Sequence, residues 1–357
     1  MNDKYLTIEY LRFICIGAVV LLHAVGAPVE GRDIISWRYG IYDIIRIFFS
    51  EGICRVAVPT LFLISGFLFF TRLEKWSADI WANKLKRRAK TLILPYFIWN
   101  LLSIVFSLLM LYLIFALRGG DVPIMATWYN QIGGLRAFWD SGIGGQPINY
   151  PLWYVRDLIV FVILAPLVFY SCKITGSGGL LFLYIAYLFH TWKDLPGLSM
   201  EGFFFFTFGA FLKIRSINIS YFFKKRFIIV TCLAIPTVLI MVFTYGNNNV
   251  AYRYAYRLFT LFGSSSIIGF VTLLVQKQKI NIHPILLKSS FFVYASHIMV
   301  LPYVLISLGN YLPSNQIGLI IKYFLAPIIT VIILIVCYYY ANKWIPKTLS
   351  VLTGGRE

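Results

Sequence analysis

The sequence has 357 residues, of which 59% are hydrophobic and only 13% are charged. Soluble domains carry about 25% charged residues, so this balance excludes an ordinary soluble protein and indicates a polytopic membrane protein. The net charge of +18 would suit a nucleic-acid partner, but the lysines and arginines lie in short clusters between long apolar segments. That distribution is typical of cytoplasmic loops beside an anionic leaflet, so no nucleic-acid partner is expected.

About ten membrane spans are predicted, which makes the fold class all-α, a polytopic transmembrane helix bundle. Basic loops alternate with loops that hold most of the acids, so the positive-inside rule places both termini on the cytoplasmic side. The expected location is a bacterial-type cytoplasmic (inner) membrane, which the chain crosses several times. Residues 1–357 are expected to form a single membrane domain without an appended soluble domain. The predicted spans are 6–28, 52–71, 91–117, 152–171, 179–192, 202–215, 227–246, 257–276, 289–308 and 317–342.

The first span is apolar, yet it contains Arg12 and His23. Eleven helical steps of about 100° return to within roughly 20° of the starting face, so one helix face presents both side chains. Ionisable groups inside a membrane are costly and usually face a cavity, which makes both residues candidates for function. His23 could serve as a general base. Two alternatives stay open, namely that His23 is a packing histidine and that Arg12 pairs with Glu9.

Two long segments on the predicted outer side differ in character. In segment 28–51, apolar residues recur at helical spacing over 41–49, which predicts an interfacial helix. Segment 118–151 is rich in glycine and bears aromatic residues, which is typical of a binding surface. A disordered connector is the alternative for this second segment.

A cluster of cations precedes the third span at its cytoplasmic end. Clustered guanidinium and ammonium groups suit phosphates, because they form charge-assisted hydrogen bonds. A plain topology signal in contact with lipid headgroups is the alternative interpretation. The cations are Lys84, Lys86, Arg87, Arg88 and Lys90.

Five segments, in the expected order, resemble acyltransferase family 3, the polytopic membrane acyltransferases that modify cell-surface glycans. RFICIGAVVLLHA resembles the family's R-x10-H signature, and KRRAKTLILPY resembles its basic motif, Arg-x-x-Arg shortly before a proline. PTLFLISGFL is similar to its second-helix pattern, and PLWYVRDLIVFVILAPL to its Leu-Trp-Phe segment that ends in proline. SFFVYASHIMV is similar to its late Tyr-x-x-His helix, so the resemblance extends over residues 12–300.

The resemblance implies roles for the residues that match these motifs. His23 would be the essential histidine of the acyl-transfer step, and Arg12 would support it or the donor. Arg87 and Lys90 would occupy the basic motif that faces the phosphates of acyl-CoA, with Arg88 between them. Lys90 stands where a second arginine is common in the family, which keeps the charge but not the bidentate geometry.

Three further residues are expected to lie on the acceptor side or to support the site. They are Glu30, Trp153 and His297, of which His297 could equally be a core histidine. Glu30 lies seven residues after His23, farther than the acid that the family often shows. The cysteines form no CxxC motif, so no metal site is predicted, and no permanently bound cofactor is expected.

The resemblance therefore implies a membrane O-acyltransferase, most typically an O-acetyltransferase. It would move an acyl group from cytoplasmic acyl-CoA, acetyl-CoA as the co-substrate, to a hydroxyl of an extracytoplasmic polysaccharide or lipid-linked glycan. Its partners would be the lipid bilayer, acyl-CoA and the glycan. The alternatives are a secondary transporter or glycan flippase without covalent chemistry, and a non-catalytic component of a polysaccharide assembly complex.

Overall fold

A computed structural model of the chain describes residues 3–24, 40–71, 76–118, 134–142, 144–246 and 249–355. These residues form α-helices joined by short turns, and no β-strand occurs among them. The helices are α1 (Asp3–Leu22), α2 (Ile41–Arg46), α3 (Ala57–Phe69), α4 (Ala78–Arg88), α5 (Leu94–Arg118), α6 (Trp153–Ile163), α7 (Ala165–Ile174), α8 (Gly176–Phe189), α9 (Met200–Ile214), α10 (Ile219–Phe243), α11 (Val250–Gln276), α12 (Pro284–Tyr311), α13 (Gln316–Trp344) and α14 (Pro346–Thr353).

Seven helical stretches in the described part of the chain are long and apolar enough to cross a membrane. The number is eight if the bent pair α6 and α7 counts as one span. Helices α8 and α9 have 14 and 15 residues, so the fifth and sixth predicted spans are short, as the sequence indicated. These apolar helices confirm the predicted multi-pass helical membrane protein. A helix can span a bilayer because it satisfies its own backbone hydrogen bonds.

Two of the predicted spans differ from the structure. The helix predicted over 41–49 is present, but it continues through a π turn at Ile47–Gly52 and a 3-10 turn at Ile53–Val56 into α3, so Ile41–Phe69 forms one candidate span. The span predicted over 152–171 is bent by 64° between α6 and α7. Pro166, in the first turn of α7, has no backbone N–H to continue the hydrogen-bond ladder of α6.

Helix α1 lies inside the bundle and contacts α3, α11, α12 and α13. Its residues Leu11, Cys15 and Val20 are buried in the largest apolar cluster of the described residues. The helices around it form two pairs: α10 packs against α11, and α12 packs against α13. Because α1 is surrounded by other helices, the ionisable groups that it carries face protein and cavities instead of lipid.

Helices α3 and α9 approach each other closely at two glycines. A side chain at Gly66 would collide with the carbonyl of Phe206, and one at Gly209 with the carbonyl of Leu63. Small residues at such a crossing let two backbones pack directly, which is the usual means of helix association in a membrane. This contact fixes α3, on which one wall of the site described below is built.

Candidate active site

His23 and His297, which are far apart in the sequence, contact each other at the centre of the bundle. His23 continues the last turn of α1, its N–H donating to the carbonyl of Val19 at 3.2 Å. Its Nδ1 lies 3.0 Å from Nε2 of His297 on α12. The two rings are stacked, with centroids 5.2 Å apart, and the His297 side chain is 0% exposed. Both histidines suggested by the sequence therefore belong to one cluster.

The hydrogen bonds around this pair determine where the protons lie. Nδ1 of His297 is 2.6 Å from the carbonyl of Tyr294, which can only accept, so this nitrogen carries a hydrogen. In a neutral His297 the Nε2 atom is then the acceptor, and His23 must donate from its Nδ1. The proton positions are assigned from this network. They leave Nε2 of His23 with its lone pair, the state that a general base requires.

Two tyrosines complete this group, which we call the histidine layer (His23, His297, Tyr150 and Tyr294). The Tyr150 ring meets His23 edge-on at 4.9 Å between centroids. Tyr294 contacts His297 at 6.3 Å between centroids, and its hydroxyl donates to the carbonyl of Pro151. The layer thus joins the end of α1, the turn before α6 and the middle of α12.

A cavity of about 600 Å³, the Arg12 cavity, opens between α1, α3, α6 and the beginning of α12. It is lined mainly by apolar side chains, with three cations: Arg12, Arg88 and Lys288. The charges of Arg12 and Arg88 are close enough to interact. Tyr294 also lines this cavity, so it extends to the histidine layer. Cations with an apolar interior suit a ligand that has an anionic end and a slender, less polar extension.

Glu9 lines the same cavity as Arg12, one helical turn away. Among the ion pairs of the described residues there is none between these two side chains. The alternative in which Glu9 neutralises Arg12 by direct contact therefore does not describe the structure. The charge of Glu9 still acts on Arg12 from within the cavity, but no direct contact with Glu9 occupies the guanidinium.

The three residues assigned to the phosphates do not share one environment. Arg88 lines the Arg12 cavity, whereas Arg87 and Lys90 are exposed and are not part of its lining. Lys84 donates to the carbonyl of Phe69, where it closes the end of α3. The π turn at Ala89–Ile93 follows α4 directly and changes the helical register after Arg88. The roles of Arg87 and Lys90 remain predictions, and Arg88 has the favourable position.

A second cavity, of about 430 Å³, lies at the other end of the bundle and is called the Trp153 cavity. The chain around α3 defines the direction, since Arg55, just before this helix, lines this cavity whereas Ser65 and Phe69, farther along it, line the Arg12 cavity. Trp153 also packs against Phe62 of α3, at 5.8 Å between ring centroids. Tyr294 of the histidine layer lines the Arg12 cavity, and Arg55 of the Trp153 cavity lies near His23, so the layer adjoins both cavities although neither histidine is part of a lining.

A buried ion pair holds the glycine-rich segment over the Trp153 cavity. Arg156 is 3% exposed and donates to Asp157 from two nitrogens, at 3.0 and 3.2 Å. Its third nitrogen donates to the carbonyls of Trp139 and Gly145, at 2.7 and 2.6 Å. Asp157 accepts in turn from the N–H of Ser199 at 3.0 Å. The described part of this segment is therefore anchored to the bundle, although its role in binding stays a prediction.

The same segment contains an ordered turn on its exposed side. The N–H of Gly142 and the guanidinium of Arg136 donate to the Asp140 carboxyl, at 2.9 and 3.0 Å. These hydrogen bonds hold the pKa of Asp140 below its ordinary value. Residues 119–133 and 143, the remainder of the predicted loop, lie outside the described residues, as does Glu30.

Sequence reasoning missed the charged residues of the Trp153 cavity. Arg55, Arg253, Arg257 and Glu201 line it, and Glu201 accepts from the hydroxyl of Tyr187 at 2.8 Å. Arg55 is paired with Glu51 and lies close enough to His23 for their charges to interact. An acid at the start of an apolar span was the available signal for Glu201, because such acids are rarely without function. The arginines resembled ordinary loop charges.

Comparisons with known proteins bear on the family of the chain. The sequence model of a family described as "Acyltransferase domain" matches residues 5–340. The chain is 28% identical over 367 residues to the succinoglycan biosynthesis protein ExoH of Rhizobium meliloti (strain 1021). That alignment covers 98% of this chain and 92% of the relative. No solved structure matches significantly.

Proposed function

The chain belongs to acyltransferase family 3, and we propose that it transfers an acyl group from acyl-CoA to a hydroxyl of a glycan, with His23 as the catalytic base. The observation that carries the proposal is the contact between His23 and His297 in a layer that adjoins two chemically different cavities. A transferase needs a separate place for the donor, a separate place for the acceptor, and a base between them.

The donor binds in the Arg12 cavity. Arg12, Arg88 and Lys288 neutralise the phosphates of CoA, and the pantetheine arm extends along the apolar walls towards Tyr294. The thioester then lies beside the histidine layer. With the N-terminus in the cytoplasm, as the positive-inside rule indicates, this cavity opens to the compartment that holds acyl-CoA.

The transfer step uses the lone pair on Nε2 of His23. This nitrogen takes the proton of the acceptor hydroxyl while the hydroxyl oxygen attacks the thioester carbonyl. The carbon–sulfur bond breaks, and the CoA thiolate takes the proton back from His23. His297 stabilises the transient imidazolium, because its Nε2 accepts the hydrogen on Nδ1 of His23. A route through a transient acyl-His23 would use the same lone pair.

The acceptor is a polysaccharide or a lipid-linked glycan on the outer side of the cytoplasmic membrane. The relative named for succinoglycan biosynthesis supports this class of acceptor. Acetyl is the simplest acyl group for this activity, so acetyl-CoA is the donor to test first. The whole chain acts as one membrane domain in this proposal.

The test compares His23→Ala with the native protein in detergent or in nanodiscs. Release of CoA thiol and acylation of a glycan acceptor are both followed. We expect His23→Ala to lower transfer by at least about 100-fold, which is the usual contribution of a general base. His283→Asn is the matched control, since His283 is an exposed N-cap of α12 whose function asparagine can perform. Equal turnover by the native protein and His23→Ala would overturn the assignment.

A further inference from the structure

We propose that Arg253 and Arg257 form an anion-binding subsite in the Trp153 cavity, which takes the carboxylate or phosphate of an acidic glycan. The identity of the ligand as the acceptor rests on the proposed function, whereas the subsite itself rests on the geometry of α11. Nothing in the transfer step described above requires an acidic acceptor. The subsite would therefore determine which glycans the protein accepts.

The two arginines lie one helical turn apart on the same face of α11. Both line the Trp153 cavity. Like charges at this spacing repel each other, and the described residues supply neither of them with an ion-pair partner. Arg257 donates from one nitrogen to the carbonyl of Leu188 at 2.9 Å, which orients its remaining nitrogens. An anion between the two guanidinium groups would relieve the repulsion.

The other arginines of this cavity are already paired. Arg55 donates to Glu51, and Arg156 donates to Asp157. The arginines of this lining that have no ion-pair partner among the described residues are therefore the two of α11.

The acids that line the cavity are also held in place. Asp194 accepts from the N–H of Met200 at 2.7 Å, and Glu201 accepts from the hydroxyl of Tyr187 at 2.8 Å. Each carboxylate is thus held by a hydrogen-bond donor that does not belong to α11. Neither forms an ion pair with an arginine of α11 in the described structure.

The rest of the lining suits a sugar ring. Trp153, Tyr252 and Tyr256 present aromatic surface beside polar tips, which combines apolar contact with hydrogen bonding to hydroxyls. A guanidinium presents a planar fork that matches a carboxylate or a phosphate with two parallel hydrogen bonds. A carboxylate on a sugar and a phosphate ester of a sugar share this chemistry. The two sources differ in charge and shape, so matched probes distinguish them.

The experiment titrates the purified full-length protein with methyl glucuronide, glucose 1-phosphate and methyl glucoside, without acyl-CoA, by ligand-observed NMR. The three probes share one type of sugar ring and differ in the carboxylate, the phosphate or neither. We expect at least one acidic probe to bind about tenfold more tightly than methyl glucoside. The double variant Arg253→Gln/Arg257→Gln should lose that preference. Tighter binding of the glucuronide assigns the subsite to a carboxylate, and tighter binding of the phosphate assigns it to a phosphate ester.

Two further variants keep the test decisive. Arg136→Gln is the matched control, because Arg136 is exposed on the glycine-rich segment outside the cavity, and it should keep the preference. Arg253→Lys/Arg257→Lys keeps both positive charges but lacks the planar guanidinium, so it should keep part of the preference for an acidic probe. Thermal unfolding of each variant in the same detergent shows whether it is folded. Equal affinity of the native protein for all three probes, or an unchanged preference in the double glutamine variant, would overturn the subsite. Because no acyl-CoA is present, failure of the transfer reaction would not change this result.

Discussion

The two cavities of this protein lie in one helix bundle but have opposite chemistry. The Arg12 cavity is largely apolar, and its charges are mainly cations with a single acid, Glu9. The Trp153 cavity is lined by four arginines, three acids and several hydroxyl-bearing aromatic residues. A transporter exposes one and the same site first to one side of the membrane and then to the other. Two different cavities that adjoin one histidine pair favour two different ligands that meet at a reaction centre.

The difference between the cavities also concerns how each is built. The Arg12 cavity is formed mainly by residues of α1, α3, α6 and α12, which the bundle holds in place. The Trp153 cavity depends partly on the glycine-rich segment, which is fixed by the hydrogen bonds of one buried ion pair. Mutations in the Arg12 cavity should therefore change mainly its affinity for a ligand. Mutations of the ion pair in the Trp153 cavity should change mainly the stability of the fold.

The largest expected effect follows from breaking the ion pair of Arg156 and Asp157 in the lining of the Trp153 cavity. Arg156→Ala leaves Asp157 buried without its partner and frees two loop carbonyls, so we expect a loss of about 3–5 kcal/mol in the free energy of unfolding. Unfolding in mixed detergent–SDS micelles measures this. Arg156→Leu/Asp157→Leu should recover part of the loss, because no unpaired charge remains. Arg136→Ala breaks an exposed pair and should have little effect.

The next effect concerns the histidine layer. His297→Ala removes the acceptor for Nδ1 of His23, so we expect kcat of acyl transfer to fall about 100-fold while KM for both substrates changes little. His297→Gln should lower kcat less than His297→Ala does, since the glutamine amide oxygen can accept the same hydrogen bond. A variant that merely loosens the core would raise both KM values, and glutamine would not rescue it. That outcome would make His297 a packing residue.

Much of this architecture could be predicted from the sequence, because it depends on long apolar segments. The helical, multi-pass class follows from hydrophobicity alone, and the cost of charge in a membrane identified Arg12 and His23. The π turn at Ile47–Gly52 has no hydropathy signal, so the merging of two helices into the Ile41–Phe69 span was not predicted. The bend at Pro166 was missed although proline is its cause, since apolar composition continues across it.

The details of the site depend on how the helices pack and rotate against one another, which the spacing of residues in the sequence does not determine. The contact of His23 with His297 joins residues 274 positions apart, and their relative rotation is fixed only by packing. Whether Arg87 or Arg88 faces the Arg12 cavity depends on the register at the π turn Ala89–Ile93. The arginines of the Trp153 cavity were overlooked because a basic residue near a span end usually reports topology.

A smaller effect tests the donor side of the comparison. Arg88→Gln should raise KM for acyl-CoA about tenfold, because one charge-assisted hydrogen bond to a phosphate is lost. Arg87→Gln and Lys90→Gln should leave it nearly unchanged, since these side chains are exposed outside the cavity. Steady-state kinetics with acyl-CoA as the varied substrate measures the difference. Equal effects at positions 87 and 88 would mean that the whole basic cluster acts through its charge and not through the cavity.

The smallest expected effect tests whether the two cavities are separate. Ser65 lies 2.8 Å from the Tyr154 hydroxyl, and both side chains line the Arg12 cavity. Ser65→Ala removes one neutral hydrogen bond, worth about 1 kcal/mol, so KM for acyl-CoA should rise by up to about fivefold while KM for the glycan stays constant. Ser266→Ala is the matched control, because Ser266 makes a similar 2.7 Å bond to Thr231 between α10 and α11, and neither residue lines the cavity. If Ser65→Ala raised KM for the glycan by the same factor, both substrates would have to share the Arg12 cavity, and the division of the bundle into a donor side and an acceptor side would be wrong.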